Sequence, residues 1–262
     1  MEYIFASDPH GTGQPWIELV KAAEKKYPQA KIIFGGDYID RRKFSQETIK
    51  FVKNQEAQRD AIVLIGNHEA LMFDFVEKGD QTWLLNQNKV TVKSLLGRHY
   101  PTEQLRKKLA ANPLYRYLFQ HVNRLVYATN HLIFVHAGVP LDGQAGSREY
   151  DLWAREEYWY GESHHNQLSQ IFAHNQTGKT IVVGHTPTCL IRGVLDGDVP
   201  AGQPEIIGYQ EGPTNDCPVV KVQYAGEPAR YFTDGGCQPQ VPQNNGNVCV
   251  FAEDGSLIEV FN

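Results

Sequence analysis

The chain has 262 residues, 41% of them hydrophobic, with 30 acidic against 25 basic side chains for a formal charge of −5. That length and apolar content suit a folded protein with a sizeable core, and the acidic excess, with no long run of Lys or Arg, excludes a protein that coats nucleic acid by neutralising its phosphates. No apolar stretch approaches the ~20 residues of a membrane span, and Met1 leads into Glu2–Ala6 without a basic leader, so the cytoplasm is the expected compartment.

Glu2–Ala6 reads as a strand. It is followed by a polar, glycine-containing loop from Ser7 to Gly13 and a helix opened by Pro15, whose apolar Trp16, Leu19, Val20 and Ala23 keep helical spacing. Lys31–Phe34 is a second strand, and the loop from Gly35 to Phe44 leads to a helix with Ser45 as its expected N-cap and Glu47 in its first turn. Ala61–Ile65 is a third strand, buried on both faces by its unbroken apolar run and ended by Gly66. The alternation predicts βαβ units, a largely parallel sheet and an α/β class. From Asp80 to His121 the pattern is helical, broken at Asn112-Pro113, and reads as an inserted helical cap. Arg124–Ala128 and His131–His136 alternate around Thr129-Asn130 and predict a hairpin. Thr180–Val183 is a further buried strand, and the stretch 187–218, rich in Gly, Pro and Asp, is expected to be a long irregular loop. Val248–Ala252 and Leu257–Phe261, joined through Asp254-Gly255, predict a second hairpin. No linker interrupts the chain, so residues 1–262 are expected to form one domain. The four cysteines, Cys189, Cys217, Cys237 and Cys249, form no CxxC pair, and free thiols are the expected state.

The strand ends share one kind of residue. Asp8 and His10 follow the first strand, Asp37 and Asp40 the second, Asn67 and His68 the third; His136 follows the hairpin and His185 the Thr180–Val183 strand. Singly, each is explained as a turn former or a satisfied core histidine. Together they are not, because in open α/β sheets residues at the carboxyl ends of strands converge on one site. Carboxylate, imidazole and amide oxygen suit divalent Mn, Fe or Zn, and the absence of cysteine from the set disfavours a thiolate site.

The segments SDPHG, GGDYIDRR, GNHE, HAG and GHT, in this order between residues 7 and 186, resemble the calcineurin-like metallophosphoesterases and, within them, the phosphoprotein phosphatase family of the bacterial serine/threonine type. The resemblance implies a β-sandwich of two mixed sheets flanked by helices, with a dinuclear metal centre at one end. It implies Asp8, His10 and Asp37 for one ion and Asp37, Asn67, His136 and His185 for the other, with Asp37 bridging. Two Mn²⁺ ions are expected, with Fe or Zn as the alternatives. His68 is then the general acid, oriented by Asp40, and Arg41 holds phosphate oxygens. LWAREE at 152–157 resembles a segment that supplies a second phosphate clamp, here Arg155, although a surface charge paired with its neighbouring glutamates explains that arginine equally well. Two positions depart from the pattern: Ser7 and Arg42 both stand where it has Gly. DGGC at 234–237 resembles a DTGC segment of bacterial members.

The activity so implied is hydrolysis of phosphate monoesters by a metal-bridging hydroxide, on a phosphoprotein or a small phosphoester. A dinucleoside tetraphosphate hydrolase is the alternative on the same centre, for which Tyr158–Tyr160 offer a base-stacking surface or, more simply, core packing. A binding protein without catalysis is a third reading, which the complete ligand set disfavours. The GxxxxGK[ST] loop of triphosphate-binding enzymes is missing from the sequence.

Overall fold

The computed structural model describes residues 1–160, 172–191, 193 and 215–262. Two five-stranded sheets carry the fold. The first has β1 (Glu2–Ala6) between β2 (Lys31–Phe34) and β9 (Val248–Ala252), with β3 (Ile62–Val63) beyond β2 and β10 (Leu257–Phe261) beyond β9. β1, β2 and β3 run parallel, whereas the β9–β10 hairpin adds antiparallel to β1, pairing Glu2 with Ala252 through Ala6 with Val248. The sheet is therefore mixed, where the alternating pattern predicted a largely parallel one, because the chain returns to it with its C-terminal hairpin. The second sheet has the order β4 (Val126–Ala128), β5 (Leu132–Val135), β6 (Thr180–Val183), β8 (Arg230–Phe232), β7 (Val220–Val222).

Period-two alternation builds the sandwich. Tyr3, Phe5, Ile33 and Phe251 of the first sheet meet Leu132, Phe134, Val182 and Tyr231 of the second in the inner core. Their chain neighbours point outward. Ile4, Ala6, Ile32 and Phe34 pack under α1 (Gln14–Lys26), α2 (Ser45–Arg59) and α3 (Asn67–Lys78), and Ile181, Val183 and Phe232 pack under the segment that carries α7 (Arg148–Trp153) and α8 (Glu156–Trp159). This is the α/β fold of two mixed sheets flanked by helices that the motifs implied.

Several boundaries differ from the sequence reading. Ser45 is not the cap of α2: Phe44 occupies that position without a side-chain bond, and the Ser45 hydroxyl lies 3.2 Å from Thr91 Oγ1. The third strand is reduced to two residues: Leu64 N still donates to Phe34 O of β2 at 2.9 Å, but Leu64 itself forms an isolated bridge to Arg124. The paired strands β7 and β8 of the second sheet are three residues each, too short for a periodic signal, and β8 begins with a buried arginine.

Residues 82–121 form a 3-10 turn (Thr82–Leu85), α4 (Lys89–Leu96), α5 (Thr102–Ala111) and α6 (Pro113–His121), which share the apolar cluster of α2 and α3. Asn112 caps α6, its side chain accepting from Leu114 N at 2.9 Å and Tyr115 N at 3.2 Å, with Pro113 in the first turn as expected. Of the stretch 187–218, residues 192 and 194–214 lie outside the described residues. All four cysteines are free thiols. Among the described residues, no helix is long and apolar enough to cross a membrane.

Candidate metal centre

The loops at the carboxyl ends of the parallel strands interlock. Asp8 N donates to Gly36 O at 3.1 Å, His10 N to Asp37 O at 2.9 Å, and Gly184 N to His136 O at 2.9 Å, which draws the ends of β1, β2, β5 and β6 into one cluster. Asp8, His10, Asp37, Asp40, Arg41 and His185 all have φ between 41° and 68°. Left-handed backbone is uncommon outside glycine and persists where surrounding structure enforces it, so this concentration marks a built site. Gly66 is required here for another reason: a Cβ at that position would strike Asp37 Oδ1.

Each imidazole is fixed through one nitrogen. His10 Nδ1 donates to Ile39 O at 3.0 Å and His136 Nδ1 to Gly35 O at 2.8 Å, leaving both Nε2 lone pairs facing inward. Asn67 Oδ1, His136 Nε2 and His185 Nδ1 converge within 3.0–3.2 Å of one another. Burial holds His10, His136 and His185 below the ordinary histidine range. For His10 the neighbouring Arg41 adds to burial, and for His185 the neighbouring His136 does; for His136 the Asp37 charge works against it. A lowered pKa favours the unprotonated ring, the form that ligates a cation. Burial raises Asp8 to about 7, aided by the Asp37 charge. Asp37 moves the other way: burial opposes its ionisation, but His136, His68, His10 and Arg41 together outweigh it and hold it ionised.

Asp8 Oδ1, His10 Nε2, Asp37 Oδ2 and His185 Nε2 are buried without a hydrogen-bond partner. Such groups cost about 1–3 kcal/mol each when left unmet. Two overlapping sets, His10–Asp37–His68 and Asp37–His136–His185, place donor atoms within 4.8 Å of one another, with Asp37 common to both. The residues therefore fit a pair of divalent cations, on the ground that buried, neutral or anionic donors are left without protein partners around one shared carboxylate.

His68 is tied differently. Its Nδ1 lies 2.7 Å from Asp40 Oδ2, and its Nε2 faces Asp37 Oδ2 at 3.9 Å. Burial would depress its pKa, but the Asp37 charge and the Asp40 hydrogen bond outweigh that and raise it. Asp40 accepts further bonds from Trp83 Nε1 at 2.9 Å and Thr91 Oγ1 at 2.7 Å, so both of its oxygens already meet protein donors. Arg41 keeps one buried guanidinium nitrogen, Nη1, unpartnered. Arg155 precedes α8, donates from Nη1 to Thr186 Oγ1 at 2.6 Å, and has its pKa lowered by burial and then by the charge of Arg41. The two guanidinium groups thus face one region beside the carboxylates, and Arg155 is not the surface charge that its sequence neighbours offered.

Arg42 turns away from the centre. Its fork donates to Gln238 O at 2.9 Å, Val241 O at 2.7 Å and Thr12 Oγ1 at 3.2 Å, stitching the C-terminal turn to the first loop. Tyr158, Trp159 and Tyr160 are buried in the outer core of the second sheet and offer no stacking surface. Trp153 is exposed, and its ring lies edge-on 6.3 Å from that of His185.

Three supporting carboxylate and hydroxyl groups escaped the sequence reading. Glu69 accepts from Gly66 N, Asp37 N and Tyr38 N at 3.1, 2.8 and 2.9 Å and is raised to about 8 by burial and then by Asp37. Its place three residues after the Gly that precedes a helix was a legible capping signal. Asp234 is fully buried, accepts from Gly236 N at 2.8 Å, leaves Oδ2 bare, and is raised to about 8 by burial and then by Asp8. It opens the DGGC segment at 234–237. Thr91 lies in the helical insertion and had no local signal at all.

Residues 1–206 match the calcineurin-like phosphoesterase family, and the chain belongs to that family. Its reaction class is therefore phosphoric ester hydrolysis. No curated protein sequence matches the chain at a significant level. Among solved structures, the chain is similar to a metallophosphoesterase from Sphaerobacter thermophilus, with 14% identity over 99% of this chain and 89% of that one and a TM-score of 0.50. It is also similar to a cold-active protein tyrosine phosphatase, with 15% identity over 99% and 78% of the two chains and a TM-score of 0.52. At these identities the likeness is one of fold.

Proposed function

We propose that this chain is a dinuclear-metal-dependent phosphomonoesterase of the phosphoprotein phosphatase type, acting on phosphoserine or phosphothreonine. The observation that carries the reading is the Asp40–His68 pair, a carboxylate bonded on both oxygens that aims one imidazole at a cluster of unpartnered ligand atoms. Asp8, His10 and Asp37 would hold one cation and Asp37, Asn67, His136 and His185 the other, with Mn²⁺ the expected ion. When bound, the ions supply neutralisation of phosphoryl charge and activation of water.

The chain's own groups do the rest. Arg41 and Arg155 bind equatorial phosphoryl oxygens, a planar fork matching them where an ammonium would not. His68 carries its proton on Nε2, facing the centre, and delivers it to the leaving oxygen. Asp40 accepts from Nδ1, which fixes the ring and favours its charged form before transfer. No covalent intermediate on a side chain is required.

The test is turnover of a phosphoserine peptide, p-nitrophenyl phosphate and diadenosine tetraphosphate side by side with added Mn²⁺. The peptide is expected to be hydrolysed fastest, with activity lost to chelator and restored by Mn²⁺. Preferred cleavage of the dinucleotide would reassign the substrate to a phosphoanhydride, and no turnover of any of the three would favour a binding protein.

A further inference from the structure

Ser7 stands where the phosphoprotein phosphatase pattern has glycine. It is buried, and its Oγ donates to Asp8 Oδ2, which also accepts from His185 N at 2.9 Å. The other oxygen, Asp8 Oδ1, is buried and has no hydrogen-bond partner. The hydroxyl lies between the ends of β2 and β6. A Cβ on Gly35 would come within 2.6 Å of Ser7 Oγ, and a Cβ on Gly184 would collide with both Ser7 Oγ and Asp8 Oδ2. Glycine on both walls is what makes room for the hydroxyl.

A carboxylate with no donors can turn about its terminal torsion and offer either oxygen, because that torsion is broad and two-fold. Two donors on one oxygen remove this freedom. We infer that Ser7 is a positioning residue for the Asp8 side of the centre: its hydroxyl locks the carboxylate with Oδ2 toward the backbone and Oδ1 offered to a divalent cation. The inference rests on the dinuclear reading proposed above. With alanine or glycine at position 7, only His185 N holds Oδ2, and the carboxylate regains a second orientation. Hydrogen-bond partners of a metal-ligating group are typically worth about 10–100-fold in metal affinity.

The experiment is a Mn²⁺ titration of chelator-stripped protein, with free Mn²⁺ followed by electron paramagnetic resonance, on wild type, Ser7→Ala and Ser7→Gly. Wild type is expected to bind two ions. Both variants should retain one affinity and weaken the other by about 10–100-fold, while the melting temperature of the stripped protein stays close to wild type. Two unchanged affinities would overturn the assignment. So would equal weakening at both sites together with a lower melting temperature, which marks a general packing role. Ser7→Gly, which adds no bulk to the slot, keeps the test open if the alanine variant fails to fold. A wild-type chain that binds no Mn²⁺ defeats the dinuclear reading and this inference with it, and that result is seen before any variant is made.

Discussion

Asp37 and Asp40 sit three residues apart in one loop, both fully buried and both left-handed in backbone, yet their surroundings differ in kind. Asp40 meets donors on both oxygens, from His68, Trp83 and Thr91. Asp37 accepts from His68 N at 3.0 Å on Oδ1 and leaves Oδ2 bare, among histidines whose lone pairs point the same way. The difference teaches how a site of like residues divides its work. A carboxylate with donors on both oxygens orients a neighbour, whereas one left with a bare oxygen among other unpartnered ligand atoms is prepared for a cation.

The strongest way to break this contrast is Asp37→Asn. An amide cannot supply the shared negative charge, so the variant should lose bound Mn²⁺ and turnover together; metal analysis of the purified protein that finds two ions per chain would remove Asp37 from its bridging place. His68→Asn asks the complementary question. It should lower kcat by roughly two to four decades while metal content stays at the wild-type level, and loss of metal there would move His68 into the ligand set. Trp83→Phe sharpens the Asp40 side alone. It removes one donor from a buried carboxylate, a bond to a charged group worth about 1.5–3 kcal/mol, and should lower the melting temperature by roughly 4–10 °C with metal stoichiometry intact.

Asp151 provides the smallest and cleanest contrast. Its Oδ1 is bare as well, but burial alone raises its carboxyl, to about 6. An unfolded aspartate titrates near ~3.9, so the folded state binds the proton more tightly. Its contribution to stability is then fully present below about pH 4 and is lost as pH rises through about 6. Asp151→Asn should raise the melting temperature at pH 8 by roughly 2–4 °C, allowing for partial solvent screening, and give no gain at pH 4. A gain of equal size at both pH values would show that the charge is not what costs stability.

Much of this arrangement was legible in the sequence because the relevant signals are local. β1, β2, β6, β9 and β10 were read at their observed boundaries, since each is an apolar run closed by polar or glycine residues, and the ligand candidates follow directly at the strand ends. What stayed hidden depends on distant pairing. Trp83 and Thr91 reach Asp40 across 43 and 51 residues, and nothing in their own helical neighbourhood marks them. Asp234 follows a three-residue strand with buried Arg230 as its first residue, so neither the strand nor the residue after it stood out. Arg42 stands inside a motif where the pattern has Gly, yet its guanidinium binds backbone carbonyls almost two hundred residues away.

The most direct test of the central claim is a crystal structure of the protein grown with Mn²⁺, with data collected for anomalous scattering. The account predicts two peaks about 3.5–4 Å apart, one on each side of the Asp37 carboxylate, with His68 Nδ1 still bonded to Asp40. No peak at Asp37, or a peak ligated by Asp40, would contradict it.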